Sequence, residues 1–282
     1  MVKTAVTVLL FALFGGGALA LWLRVAEPRL IYYPDRVIAL TPDRLGLDYE
    51  DVWLTADDGV RLNGWFLPSG RPAGLTLLLL HGNAGNISHR FEKYAVFREL
   101  GVDVFALDYR GYGRSEGEPS EPGTYLDAAA AYRYLIEKRG VDPRKLVVYG
   151  ESLGAVVAVE LAARSAVAGV VMEGVFTSAA DVGQAMFPFL PVRWLAKNKY
   201  DALARIGRIN APLLILHSRD DEFFGMRHPQ KLLAAAQAPK ELVELRGGHN
   251  DAFLVSAELY RNSLQRFFDS LRGAQPQTGE VR

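Results

Sequence analysis

The sequence predicts a doubly wound α/β fold, with about eight mostly parallel strands in one sheet and helices on both of its faces. Short, wholly apolar runs alternate along the chain with longer stretches whose apolar residues have helical spacing. Strands that are apolar on both faces are typical of a parallel sheet that helices cover from both sides. A hairpin signal precedes this alternation, so we expect the first two strands to be antiparallel.

The predicted elements follow one another in a regular order. Two strands at 52–55 and 60–66 flank the turn Asp57-Asp58-Gly59. The apolar runs that follow predict strands at 75–80, 102–107, 145–149, 169–172, 213–216 and 241–245. Helical spacing predicts helices at 91–100, 124–139, 153–164, 230–237 and 252–271. These elements form one predicted domain over residues 51–272.

The composition of the chain limits its classes of function. Of its 282 residues 50% are hydrophobic, which is enough for one substantial core or two small ones. Basic and acidic residues balance at 32 each, so we expect no basic face for a nucleic-acid partner. The absence of cysteine excludes disulfides, thiolate catalysis and zinc–thiolate sites, and it leaves the compartment open.

The N-terminal segment is the most strongly biased part of the sequence. No residue from Ala5 to Leu23 is charged. About 19 residues at 1.5 Å each give roughly 28 Å of helix, close to the hydrocarbon thickness of a bilayer. We therefore predict a single-pass membrane anchor over residues 1–24, of undetermined orientation. Two alternatives are a signal peptide cleaved after Ala18-Leu19-Ala20, which would give a secreted or periplasmic protein, and a buried core helix.

Three further segments have no catalytic motif. Residues 25–50 contain three prolines and are predicted as a connector between the anchor and the domain. Residues 273–282 lack an apolar period and are predicted as a flexible tail. The aromatic-rich insert at 174–210 is too short for a cap domain. It is predicted either as a flap that walls an acyl pocket over the site or as packing at the sheet edge.

Gly150-Glu151-Ser152-Leu153-Gly154 is the strongest local signal in the chain. It lies between a predicted strand and a predicted helix, the setting in which G-x-S-x-G forms a nucleophile elbow. The turn is so tight that the positions two before and two after the serine must lack bulky side chains. Ser152 is therefore predicted as the nucleophile, and the Leu153 amide at the helix start is predicted as one oxyanion donor.

The late loops supply a candidate base and a candidate acid. A serine nucleophile needs a base that is itself held in place, and chains with this elbow carry the acid and the histidine after the late strands. His249, which follows the last predicted strand, is the predicted base. Asp221 is the predicted acid, because hydrolases of this kind often place it four residues after a histidine such as His217. Asp220 is the alternative, and Asp251 is expected to cap the last helix.

The loop His81-Gly82-Asn83-Ala84-Gly85-Asn86 follows the third predicted strand. Chains with a nucleophile elbow take their second oxyanion donor from this loop, and here we assign it to the backbone N–H of Asn83. His81 is expected to be structural, with its ring bonded to loop backbone, because it lacks partners for a metal site. The glycine-rich loop at 108–115 is expected to have a structural role only.

These motifs together resemble the BEM46-like family, which includes the eukaryotic α/β-hydrolase-domain proteins 13 and 17. The resemblance covers about residues 30–272 and is carried by the segments at 81–90, 108–113, 150–154 and 248–251. It implies an α/β-hydrolase fold, serine hydrolase activity on esters or thioesters, and in many members an N-terminal membrane segment. The domain-17 branch removes palmitate from proteins. We do not carry this substrate over, because the chain lacks that branch's N-terminal cysteines.

Two positions depart from the family pattern. The acid loop reads Glu222-Phe223-Phe224-Gly225 where relatives often have a valine–proline pair, and this makes the geometry of the acid loop less secure. Position 155 is alanine where many relatives have a third glycine, which a helix is expected to tolerate.

The sequence therefore predicts a serine hydrolase that cleaves carboxylic ester or thioester bonds through an acyl-enzyme intermediate. The expected partner is a small-molecule or lipid-like acyl substrate, and no cofactor or metal is expected. One alternative is a serine peptidase of the prolyl-oligopeptidase type, although the chain has no N-terminal propeller. The other is a non-enzymatic, membrane-tethered interaction protein. The oligomeric state is left open.

Overall fold

The computed structural model describes residues 17, 26–71, 74–237 and 239–273. Its strands, in chain order, are β1 (Tyr33–Pro34), β2 (Glu50–Thr55), β3 (Arg61–Leu67), β4 (Leu75–Leu80), β5 (Ala84–Gly85), β6 (Val102–Leu107), β7 (Leu146–Glu151), β8 (Gly169–Glu173), β9 (Leu213–Ser218) and β10 (Lys240–Leu245). Eight of them form one sheet in the order β10-β9-β8-β7-β4-β6-β3-β2.

The direction of the strands confirms the predicted sheet. β3 runs antiparallel to both of its neighbours, β2 and β6, and the remaining neighbours are parallel. In β4, Leu77 and Leu79 pack into the core on one face, while Leu78 and Leu80 pack into the core on the other. The strand is therefore buried on both sides, which is why its sequence is apolar without alternation.

Helices cover both faces of this sheet. They are Phe91–Glu99, Glu121–Arg133, Leu153–Ala162, Ala179–Met186, Val192–Leu195, Arg227–Ala235, Ala252–Val255 and Ala257–Gly273. The second and third of these pack on one face, and the first and last pack on the other. The fold is thus the predicted doubly wound arrangement, with a short insert between β8 and β9.

Several helix bounds differ from the prediction, and two of these differences have a clear local reason. The helix expected to begin at residue 124 begins at Glu121, because the Ser120 hydroxyl accepts a hydrogen bond from the Gly123 N–H and caps the earlier turn. The long helix expected at 252–271 is interrupted at Ser256, whose hydroxyl exchanges hydrogen bonds with the backbone of Arg246.

The segment predicted as a connector, residues 25–50, packs against the domain where the structure describes it. Tyr32 is buried, and β1 pairs in parallel with β5 in a separate two-stranded sheet. The backbone N–H of Tyr33 donates to the carbonyl of Asn83 at 2.9 Å. This segment therefore supports the loop that carries one of the predicted oxyanion donors.

The two predicted terminal segments, the anchor at 1–24 and the tail at 273–282, lie outside the described residues apart from Gly17 and Gly273. Within the described ranges, no helix combines the length and the apolar character needed to cross a bilayer. The membrane anchor therefore stays a prediction.

Candidate active site

The predicted site residues meet at the carboxyl edge of the sheet. Ser152 follows β7, Asp221 lies in the loop after β9, and His249 lies in the loop after β10. The His249 Nε2 atom is 3.1 Å from Ser152 Oγ, and its Nδ1 atom is 2.7 Å from Asp221 Oδ2. Because parallel strands end at one edge, the fold brings together residues that are far apart in sequence.

Ser152 lies in a strained turn. Its backbone has φ 52° and ψ −112°, a conformation that residues with a side chain rarely adopt. A Cβ atom at Gly150 would lie 2.2 Å from the Gly154 carbonyl oxygen, and one at Gly154 would lie 2.0 Å from the Leu80 carbonyl oxygen. Both glycines of the motif are therefore required by contact with backbone. The Ser152 N–H donates to the Glu173 carbonyl at 2.8 Å and ties the elbow to β8.

Asp221 is the acid that faces the imidazole. Its Oδ1 atom accepts hydrogen bonds from the backbone N–H groups of Phe223 and Phe224 at 2.9 and 2.8 Å. Burial opposes ionisation of this carboxyl. The hydrogen bond from His249 and those two amides outweigh the burial, and they hold the pKa of Asp221 below its ordinary value. The carboxylate is therefore ionised at neutral pH.

The other two acids near the site have different partners. Asp220 forms an ion pair with Arg246 at 2.8 Å and accepts the Gly247 N–H at 3.3 Å. Asp251 occupies the N-cap position of helix Ala252–Val255, but its side chain does not cap the helix as expected and instead accepts the Gly248 N–H at 2.6 Å. Neither carboxylate contacts the His249 ring through a hydrogen bond, and both brace the loop that carries it.

The contact with Asp221 determines where the proton on His249 lies. An ionised carboxylate only accepts hydrogen bonds, so Nδ1 carries the proton and Nε2 presents its lone pair to the Ser152 hydroxyl. The Phe223 and Phe224 rings stand edge-on to this imidazole, with centroids 5.3 and 5.0 Å away. The ring is thus fixed in position and in tautomer.

Gly174, directly after β8, makes room for this imidazole. A Cβ atom there would lie 2.9 Å from His249 Cε1, and the residue has φ +59°. The sequence pattern does not single out Gly174. Its position after a wholly apolar parallel strand, at the edge where the other site residues lie, is the signal that points to it.

His217 closes the acid loop, whose sequence departs from the family pattern. Its Nε2–H donates to the Phe224 carbonyl at 2.6 Å, and its Nδ1 atom accepts the Val175 N–H at 3.1 Å. Burial lowers the pKa of His217, which favours the neutral ring that this pattern requires. The Glu222 carboxylate accepts the His249 N–H at 2.8 Å. Side-chain bonds therefore hold the loop without the valine–proline pair.

The two predicted oxyanion donors, the amides of Asn83 and Leu153, belong to segments that approach Ser152. A Cβ atom at Gly82 would lie 3.5 Å from Ser152 Cβ, so this loop passes directly beside the serine. The Tyr112 hydroxyl and a backbone N–H of β1 both donate to the Asn83 carbonyl, which fixes its orientation. Within the described residues neither of the two amide N–H groups has an acceptor.

An ion cluster of Arg90, Lys93, Glu151 and Glu173 adjoins the elbow and was not predicted. Lys93 Nζ lies 2.8 Å from Glu151 Oε2 and 2.6 Å from Glu173 Oε2. Burial opposes the charge on Lys93, but the two carboxylates outweigh it and raise its pKa. Burial likewise opposes ionisation of Glu151, and Arg90 and Lys93 hold its pKa well below the ordinary value.

This ion cluster ties helix Phe91–Glu99 to the ends of β7 and β8. Arg90 Nε lies 3.1 Å from Glu151 Oε2, and the Tyr149 hydroxyl also donates to Glu173. The available signal in the sequence is a glutamate at the end of each of two wholly apolar strands. Among the described residues, no group of three or more His, Asp or Glu side chains is arranged to hold a metal ion.

Comparison with known proteins gives consistent results. A family model described as "Alpha/beta hydrolase family" matches residues 77–203. The uncharacterized protein Rv2307c of Mycobacterium tuberculosis is 37% identical over 86% of both chains. The α/β-hydrolase domain-containing protein WAV2 of Arabidopsis thaliana is 35% identical over 92% of this chain and 94% of its own. Protein bem46 of Schizosaccharomyces pombe is 35% identical over 64% of each chain.

Among solved structures, the esterase Pf2001 of Pyrococcus furiosus has a TM-score of 0.72 with this chain at 22% identity. The match covers 86% of this chain and 100% of that one, and it shows a shared fold. Relatives above 30% identity cover most of the chain. The chain therefore belongs to the BEM46-like family of α/β-hydrolases.

Proposed function

We propose that this protein is a serine hydrolase that cleaves carboxylic ester or thioester bonds. One observation carries the proposal: Asp221, His249 and Ser152 form an unbroken series of contacts at 2.7 and 3.1 Å, and the series ends at a strained elbow. A serine hydroxyl is a weak nucleophile unless an oriented base takes its proton. This series supplies both the base and the group that orients it.

The proposed reaction has two halves. His249 Nε2 accepts the Ser152 proton while Oγ attacks the carbonyl carbon, and the Asn83 and Leu153 amides stabilise the oxyanion by about 3 kcal/mol each. The tetrahedral intermediate then collapses, and His249 gives its proton to the leaving alcohol or thiol. Water, deprotonated by His249, attacks the acyl-enzyme and releases the acid and the free serine.

We also propose that the protein is tethered to a membrane through the predicted anchor at 1–24 and acts on a lipid-like acyl substrate. The Glu27 carboxylate, just after the anchor, accepts the N–H groups of Lys197 and Asn198 at 2.9 and 2.7 Å. Those residues lie in the insert, where Phe189 and Trp194 are 97% and 88% exposed. Such a tether would hold this apolar tip next to the bilayer.

The tether is tested by fractionation of cells that express the full chain with a C-terminal tag. We expect the protein in the membrane fraction, resistant to extraction at high salt and at alkaline pH. Recovery of a shortened chain in the soluble, secreted or periplasmic fraction would favour a cleaved signal peptide instead.

The proposed activity is tested with the purified full chain on p-nitrophenyl esters of increasing acyl length and on a panel of peptides. We expect ester hydrolysis that disappears in Ser152→Ala and in His249→Ala. Cleavage of the peptides with no ester turnover would favour a prolyl-oligopeptidase type of peptidase. No turnover of either class by a folded wild type would favour a non-enzymatic interaction protein.

A further inference from the structure

A cavity of about 220 Å³ lies between the insert and the helix Arg227–Ala235. Whole ligands occupy pockets of roughly 300–1,000 Å³, whereas one water takes roughly 30 Å³. The cavity therefore suits one polar group of a substrate. Its charged and titratable lining side chains are Asp181, Arg193, Arg227, His228 and Lys231. We call it the basic pocket.

The basic pocket has an excess of positive charge. Its three cations face one carboxylate, a net charge of +2 with His228 neutral. That carboxylate, Asp181, is already engaged by Arg193 at 2.8 Å and by the Thr177 hydroxyl at 3.0 Å. Within the described residues, Arg227 and Lys231 have no carboxylate partner. Both side chains are exposed, so they are available to attract an anionic ligand to the cavity.

His228 adds a buried donor to the same cavity. The residue is 4% exposed, and its Nδ1 atom accepts the Thr177 N–H at 3.2 Å. The Thr177 hydroxyl also lies 3.0 Å from Nδ1, but the backbone N–H can only donate, so we assign the ring proton to Nε2. Nε2 has no acceptor among the described residues. Burial and the neighbouring Arg227 lower the pKa of His228, so the ring donates as a neutral imidazole. This N–H opens onto the cavity, where an oxyanion can accept it in place of water.

The basic pocket adjoins the proposed catalytic site through a single ring. The His228 and Phe224 centroids are 6.2 Å apart, and those of Phe224 and His249 are 5.0 Å apart, so the two imidazole centroids are at most about 11 Å apart. That span is within the length of a medium-chain acyl group. One molecule can therefore place a reacting carbonyl at Ser152 and an acidic group in the pocket.

We propose that the basic pocket binds an oxyanionic group, a carboxylate or a phosphate, carried by the substrate of this hydrolase. The proposal rests on the proposed function and narrows its substrate class to acyl compounds with an acidic group several carbon atoms away from the reacting ester. Donors from Arg227, Lys231 and His228 surround such a group, and charge-assisted hydrogen bonds of this kind are about twice as strong as neutral ones.

The first test compares the p-nitrophenyl monoester of suberic acid with p-nitrophenyl octanoate, which has the same acyl length without the terminal carboxylate. We expect wild type to have the lower KM for the suberate ester. In the double variant Arg227→Met and Lys231→Met, that KM should rise about tenfold or more, and the KM for octanoate should stay unchanged.

The matched control is the double variant Lys138→Met and Arg208→Met. It removes the same charge from two exposed residues outside the basic pocket. It should leave both KM values as in wild type, which separates a local contact from a change in net charge. Suberate KM values that are equal in wild type and in the Arg227→Met, Lys231→Met variant would overturn the proposal for carboxylates.

The second test measures binding without catalysis. Inorganic phosphate should raise the Tm of wild type and of the control variant, and it should not raise that of the Arg227→Met, Lys231→Met variant. A rise in Tm with phosphate would indicate substrates that bear a phosphate. A lower KM for the suberate ester without that rise would indicate substrates that bear a carboxylate. Absence of both overturns the basic pocket. If a fluorophosphonate probe fails to label folded wild type, the proposed hydrolase function is wrong, and the Tm shift still decides whether the pocket binds anions.

Discussion

The two sides of His249 are built differently. On the sheet side, the glycines around Ser152 and His249 leave no room for a side chain, and Arg90 and Lys93 together pair with the two carboxylates next to the elbow. On the insert side, two of the three cations that line an open cavity have no carboxylate partner among the described residues, and Phe189 projects into solvent. Contacts fix the groups on the sheet side, whereas the insert side has charged and apolar groups that lack a partner.

This difference separates reaction from recognition. Catalytic groups need positions defined to a fraction of an ångström, and a close-packed scaffold with paired charges supplies them. Charged donors without a protein partner and exposed apolar surface are available to a ligand or partner. We therefore expect changes on the sheet side to abolish activity or folding, and changes on the insert side to alter the choice of substrate.

The largest effect is expected at Ser152. Replacement by alanine should lower kcat about 10⁴- to 10⁶-fold, because the nucleophile is removed. Ser152→Gly should be equally inactive, yet about 1 kcal/mol more stable than Ser152→Ala, because glycine adopts the positive φ without strain. Ester turnover and urea unfolding check the pair. A glycine variant less stable than the alanine variant would show that the elbow is not strained.

The next largest effect separates the two adjacent acids. Asp221→Asn should lower kcat/KM about 10³- to 10⁴-fold, because the amide NH2 that replaces Oδ2 donates to Nδ1 of His249 and favours the wrong tautomer. Asp220→Asn is the matched control, since its carboxylate pairs with Arg246 and should change kcat/KM by only a small factor. A larger loss at Asp220 would reverse the assignment of the acid.

Lys93→Met tests whether the ion cluster is part of the close-packed side. It leaves two carboxylates without their shared cation, so we expect a loss of about 3–5 kcal/mol in the free energy of unfolding. Adding Glu151→Gln and Glu173→Gln should recover part of that loss. The control Lys138→Met removes an exposed lysine outside both sites and should not change stability. Equal stability of the two lysine variants would contradict the expected structural role of the cluster.

Gly154→Ala tests the steric basis of the elbow. The new methyl group would meet the Leu80 carbonyl oxygen at 2.0 Å, so we expect a loss of about 3 kcal/mol or failure to fold. Gly225→Ala is the control, because a Cβ there has open space. Similar unfolding curves for the two variants would mean that the strand-to-helix turn is looser than described.

The smallest effect concerns acid stability. The folded pKa of Asp221 is below its unfolded value of about 3.9, so its contribution is present above that value and is lost as pH falls through the folded pKa. The free energy of unfolding of Asp221→Asn should therefore decline less than that of wild type between about pH 5 and about pH 3. If the free energies of unfolding of the two proteins decline in parallel, the lowered pKa of Asp221 is contradicted.

The sheet side could be predicted from sequence because each feature leaves a local mark. Apolar runs mark buried parallel strands, and the glycines that flank Ser152 mark a turn that excludes Cβ atoms. His249 and Asp221 were found by their order after late strands. Whether these side chains touch depends on the strand order and register of the sheet, which cannot be read from the sequence.

The insert side could not be predicted in the same way. One helix carries Arg227, His228 and Lys231. The other two charged residues of the pocket, Asp181 and Arg193, come some 35 to 50 positions earlier in the chain, and no local sequence pattern links the two groups. The aromatic residues of the insert suggested a wall for an acyl pocket or packing at the sheet edge, whereas Phe189 and Trp194 point into solvent. The same applies to Lys93, whose partners come from two other elements.

The central claim is that Ser152 is an activated nucleophile. Intact-mass and peptide mass spectrometry of the full chain treated with a fluorophosphonate test it most directly. We predict one adduct per chain, located on Ser152, formed quickly in wild type and in Asp220→Asn, slowly in His249→Ala, and absent in Ser152→Ala. A folded wild type that gains no adduct, or an adduct on another residue that persists in Ser152→Ala, would contradict it.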